Sequence, residues 1–133
     1  MRIAILLGAL LAGIMGLSAA ASAADHTTDS LDTVKKAVAD GKAVLLDVRE
    51  QAEWDAGHLK DAKLLPLSVL KADPTAEDVA RVAPKDKIVY CHCGSGIRSL
   101  KAADALKKRG YDVRPLKAGY AALLDAGFAP ATK

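Results

Sequence analysis

Two thiols and an imidazole stand side by side at Cys91, His92 and Cys93, and a short run of small and polar residues follows: Gly94, Ser95, Gly96, Ile97, Arg98 and Ser99. A thiol reacts as its thiolate, so what matters is whether its surroundings lower its pKa. Gly94 and Gly96 let the backbone curl, and a curled backbone aims successive N–H groups, including that of Ile97, into an anion-binding concavity. Arg98 adds a permanent positive charge and Ser99 another donor. The segment from Cys93 to Ser99 therefore reads as a cradle for an anion, whether a thiolate, a persulfide or an oxyanionic donor such as thiosulfate. It suits a two-step nucleophilic transfer: Cys93 takes the outer sulfur of a donor and passes it to an acceptor thiol or a cyanide-like nucleophile.

The same residues allow other uses. A disulfide between residues two apart closes almost no loop and fits disulfide geometry poorly, so a structural bridge is disfavoured. Cys91-His92-Cys93 could offer soft ligands to copper or zinc, although consecutive residues rarely supply three ligands to one tetrahedral ion. Cys91 could also resolve a persulfide or sulfenate formed on Cys93, making a thiol redox relay. Cys91 is the second candidate for the nucleophile itself.

A cradle of this kind needs a strand to deliver the chain and a helix to receive it. Lys87-Ile88-Val89-Tyr90 reads as that strand, and from Ile97 the apolar residues Leu100, Ala103 and Leu106 repeat on one face of a helix that stops at Gly110. Upstream, Leu31, Val34 and Val38 mark a helix ended by Gly41. Ala43-Val44-Leu45-Leu46 reads as a strand buried on both faces, and Gln51 to Ala56 as a short helix. A second strand is expected over 63–67, and a helix carrying Val79 and Val82 behind a capping box of Thr75 and Asp78. One more strand follows over 112–116, then a helix presenting Tyr120, Leu123 and Leu124 and closed by Gly127. Alternating strands and helices imply an α/β domain with a mostly parallel central sheet flanked by helices on both faces.

Met1 and Arg2 precede an apolar stretch from Ile3 to Leu17 and small residues ending in Ala21-Ser22-Ala23-Ala24, the layout of a secretory signal peptide. Residues 1–24 are therefore assigned to export, 25–30 to a short lead in which His26 is expected to be disordered, and 31–130 to the domain. A chain of this size holds one core. A periplasmic or secreted location is expected, with no stable membrane association after signal cleavage. The net charge of +3, with acids and bases interspersed, argues against a nucleic-acid partner. Lys107-Lys108-Arg109 closes a helix, where cations complement the dipole.

Leu45-Leu46-Asp47-Val48-Arg49-Glu50, then Glu53-Trp54, Gly57-His58-Leu59 and Pro66-Leu67, resemble the opening signature of rhodanese-like domains in order and spacing. Cys93-x-x-Gly96-x-Arg98-Ser99 is similar to their active-site loop, and Leu116-Lys117-Ala118-Gly119-Tyr120 to their closing motif. The resemblance covers about Leu31 to Phe128. It implies a single rhodanese-like domain, a thiosulfate-type sulfurtransferase with no cofactor and no metal. The implied partners are a small sulfur-donor anion and a thiol acceptor, a protein thiol included. Family members usually carry one cysteine directly after the strand tyrosine, the place Cys91 holds. Counting favours Cys93: from it to Arg98 the loop has the six residues usual for sulfurtransferases, and from Cys91 it would have eight. A phosphatase-type Cys-x5-Arg loop fits neither cysteine. Asp47 and Arg49 are expected to form a supporting ion pair at a strand end, Trp54 a core or rim aromatic, and His58 a local hydrogen bond or cap.

Overall fold

A computed structural model describes residues 24–132. The export segment expected over 1–24 lies outside the described residues, except for Ala24.

Ser30 caps the first helix, its hydroxyl accepting from the Thr33 amide, and α1 (Leu31–Ala39) buries Val34 against the sheet. Gly41, at φ +71°, turns the chain into β1 (Ala43–Asp47), an apolar run buried on both faces. Next come α2 (Gln51–Ala56), β2 (Ala62–Leu64), α3 (Leu67–Lys71) and α4 (Ala76–Ala80). They are followed by β3 (Ile88–His92), α5 (Ile97–Lys108), β4 (Val113–Pro115) and α6 (Tyr120–Asp125).

The four strands are all parallel, in the order β2-β1-β3-β4. From β1 the chain steps outward to β2, then crosses back to lay β3 on the other side of β1. The carboxyl ends of β1 and β3 therefore diverge at a topological switch point, where an open α/β sheet leaves a crevice. Asp47, the last residue of β1, is in register with His92, the last of β3. Alternation along the strands divides the core into two layers. Leu46, Val48, Val89, Cys91 and Cys93 meet α3, α4 and α5 on one face, while Leu45, Tyr90 and Leu116 meet α1 and α6 on the other.

Several sequence expectations shift. The second strand is only Ala62–Leu64, because Pro66 starts α3 and Leu67 is already helical. The capping box at Thr75 is half formed: the hydroxyl accepts from the Asp78 amide, but the Asp78 carboxylate turns to Arg81. On α5 the buried stripe is Ser99, Ala102, Ala103 and Leu106, with Ile97 61% exposed at the first helical position. Small Ala102 and Ala103 are what let this helix approach the sheet.

Candidate active site

β3 runs two residues further than the sequence suggests. Cys91 is thus within the strand rather than the loop, fully buried under α5, its thiol donating to the Ser99 carbonyl at 3.4 Å. Burial pushes its pKa well above that of an ordinary thiol, and the neighbouring Cys93 adds to the rise. Cys93 is the first residue past the strand. The chain curls at Gly96, whose φ of +89° is the left-handed conformation glycine adopts freely, and enters α5.

The curl brings the amides of Gly96 (3.1 Å) and Ser99 (3.4 Å) onto the Cys93 sulfur, at the positive end of a twelve-residue helix. Burial of this thiol opposes ionisation. The amides of Ser99, Ser95 and Gly96, together with the Ser99 hydroxyl, outweigh it, and the pKa of Cys93 falls below that of an ordinary thiol. Two neighbouring thiols of identical chemistry are thus driven in opposite directions by their surroundings.

Arg98 is at the rim, close enough to Gly94 that a Cβ there would lie 3.1 Å from its guanidinium. Its charge does not stand alone: it makes two hydrogen bonds, 2.6 and 2.8 Å, to the Glu53 carboxylate on α2. Arg98 holds Glu53 down to about 2, and Glu53 in turn raises Arg98. Glu53 also closes a capping box with Glu50, so the helix that carries it is itself fixed. Sequence reasoning gave Glu53 no role beyond its place in a motif, since nothing local marks its contact with a residue 45 positions away.

Beneath the loop, Asp47 receives Arg49 through both carboxylate oxygens (2.8 to 3.1 Å) and lies 3.5 Å from the buried His92 imidazole. Its burial disfavours the charge, but His92 and Arg49 more than compensate, and its pKa is well below the usual carboxylate range. Arg49 also donates to the Gly57 carbonyl at 2.7 Å and stacks over the Tyr120 ring at 4.2 Å. This ion pair ties the turn after β1 to the end of α2 and to α6. Trp54 stacks on His58 at 3.6 Å, and His58 Nδ1 meets the Trp54 carbonyl at 3.0 Å. Both act locally.

The closing motif completes the floor. The Tyr120 amide donates to the Cys93 carbonyl at 2.9 Å, and Gly119 lies so close that a Cβ would overlap the Gly94 carbonyl. Gly119 has an ordinary φ of −85°, so it is space and not backbone conformation that demands glycine here. The structure also overturns the expectation for His26, whose Nε2 is 2.7 Å from the Gly96 carbonyl. Cys91 and Cys93 face one core layer and His92 the other, so these three side chains do not converge on one point.

A parallel α/β sheet that sets a cysteine sulfur among backbone amides at a helix N-terminus defines a structural class. Within that class, the family description "Rhodanese-like domain" matches residues 30–126, and the chain belongs to the rhodanese-like family, whose single-domain members include sulfurtransferases. It is 40% identical over 80 residues to the uncharacterized protein YqhL of Bacillus subtilis, covering 59% of each chain. It is 37% identical over 70 residues to a probable adenylyltransferase/sulfurtransferase, MoeZ, of Mycobacterium tuberculosis, covering 53% of this chain and 17% of that protein. The chain thus spans about three fifths of one relative and about a sixth of the other. Among solved structures, the human single-domain sulfurtransferase TSTD1 superposes with a TM-score of 0.60 at 25% identity, covering 76% of this chain and 97% of that one.

Proposed function

We propose that this chain is an exported sulfurtransferase that moves sulfane sulfur from a small oxyanionic donor such as thiosulfate, through a persulfide on Cys93, to a thiol or cyanide acceptor. The observation that carries the reading is the Cys93 sulfur at the focus of the Gly96 and Ser99 amides, its pKa depressed. In the first step the Cys93 thiolate attacks the outer sulfur of thiosulfate, the S–S bond breaks, and sulfite leaves with the bonding pair. The product is an anionic persulfide, and the amides that stabilised the thiolate stabilise it too. In the second step an acceptor thiolate or cyanide attacks the terminal sulfur and Cys93 leaves as thiolate.

Cys93 is fully buried in the resting protein. The terminal sulfur of its persulfide stands about 2 Å further out, so an acceptor, a protein thiol included, need only reach the mouth of the cradle. Arg98 stands at the rim paired with the Glu53 carboxylate, so it orders the rim more than it adds net positive charge there. The thiol relay and the copper or zinc module find less support, because the Cys91 thiol is buried with a raised pKa and His92 faces away from both cysteines.

The test is intact mass after thiosulfate treatment, before and after reduction, for wild type, Cys91→Ser and Cys93→Ser. The expected result is a reducible gain of about 32 Da, lost only in Cys93→Ser. Loading that survives Cys93→Ser and disappears in Cys91→Ser would reverse the assignment of the two cysteines.

A further inference from the structure

The residues ahead of the family match, 24–29, are laid across the outside of the active-site loop and fastened at several points. The Ala24 nitrogen donates to the Asp104 carboxylate on α5 at 2.6 Å, and the Ala24 methyl is buried in the core layer beneath. The Thr27 amide donates to the Pro115 carbonyl at the end of β4 at 2.8 Å. Asp29 accepts from the Tyr90 hydroxyl at 2.7 Å and from Arg114 at 2.9 Å. His26 lies between these fastenings, held with its imidazole on the Gly96 carbonyl.

We infer that His26 is a positioning residue for the Cys93 cradle, holding the Gly96 carbonyl and with it the stretch of backbone that joins the two amides on the sulfur, those of Gly96 and Ser99. A carbonyl can only accept, so His26 Nε2 carries the proton of this hydrogen bond. The Ser99 hydroxyl lies 2.8 Å from the same carbonyl and 3.1 Å from that of Leu116, and it has one proton to share between them. In a trans peptide C=O and N–H point in opposite directions, so fixing this carbonyl outward turns the Ile97 N–H away from His26. A Gly96 carbonyl free to swing inward would present its negative end to a thiolate or persulfide.

Gly96 is the residue best placed to transmit this effect, since its own N–H is one of the two amides on the sulfur. It is also confined on its other side, where a Cβ would lie 2.7 Å from the Lys117 carbonyl and 3.2 Å from His26 Nε2. The lead and the closing motif therefore both close on Gly96 from that side. His26 does not touch the sulfur; it acts through the backbone that does.

The inference takes its functional meaning from the sulfurtransferase reading, but its test reads the thiolate directly. Wild type, His26→Ala and His26→Gln, each with the lead from Ala24 onward intact, are alkylated with iodoacetamide across a pH series, and modified Cys93 is quantified by peptide mass. His26→Ala is expected to move the alkylation midpoint up by about half to one pH unit, slowing reaction below the midpoint roughly three- to tenfold. The Gln amide nitrogen can stand where Nε2 stands, so His26→Gln is expected to return the rate to within about twofold of wild type. A wild-type midpoint in His26→Ala, or equal shifts in both variants, would overturn the inference. A shift rescued by Gln in a protein that no donor loads with sulfur would leave the inference standing and remove the sulfurtransferase reading.

Discussion

Gly119→Ala is the sharpest perturbation of the site, since it adds one methyl group where the closing motif meets the loop backbone. The new Cβ would overlap the Gly94 carbonyl and come within 3.2 Å of the Cys93 carbonyl. Neither obstacle is the end of a flexible side chain, so relief requires moving the Gly94–Ser95 peptide or withdrawing the start of α6. Overpacking typically costs 1–3 kcal/mol, and a backbone-on-backbone clash belongs at the upper end, about 3 kcal/mol. Gly41→Ala is the control. It has no heavy atom within 4 Å of a new Cβ but a φ of +71°, so it should cost about 1 kcal/mol through backbone strain alone and leave the site untouched. Urea unfolding with matched slopes gives the stabilities, and iodoacetamide alkylation with thiosulfate loading reports the site. For Gly119→Ala, a displacement of the Cys93 backbone approaching 1 Å should lower loading on the order of a hundredfold. Gly41→Ala should load like wild type. A Gly119→Ala protein within about 0.5 kcal/mol of wild type and fully loadable would refute the claim that close approach of the closing motif builds the cradle.

Three further outcomes are expected. Asp47→Asn keeps an amide oxygen that can accept from Arg49 but removes the charge that balances it, leaving a buried guanidinium among neutral partners; it should cost about 3 kcal/mol, and Asp47→Asn/Arg49→Met should recover much of the loss. Because the Asp47 pKa is depressed on folding, its contribution is present above the unfolded value of 3.8 and fades as pH falls towards the folded one, so thermal melts of wild type and Asp47→Asn should converge in acid. If the chain is exported as proposed, N-terminal sequencing of material from outside the cytoplasm should begin at Ala24, one residue earlier than the 1–24 assignment. The structure buries that residue and sets its nitrogen on Asp104, and a start well downstream of His26 would contradict the docked lead.

The sequence by itself determined the position of the loop and most of the elements around it, but not α3 (Leu67–Lys71), whose start reads as the end of a strand. Apolar runs and periodicities are local, and so are the turn residues between them: Ala43–Asp47 had to be a doubly buried strand and Cys93–Ser99 a strand-to-helix turn rich in glycine. The loop count separated the two cysteines, and the structure gives the electrostatic difference between them. Cys91 is within the strand under α5, and Cys93 lies in the amides beyond it. Local pattern carries no information about which distant group closes on a site, so three contributions were invisible until the chain was folded. Glu53 reaches Arg98 from α2, Gly119 comes against Gly94, and His26 seats on Gly96 from a lead that looked featureless. Each joins segments at least 25 residues apart, brought together because parallel strands deliver their loops to one edge of the sheet.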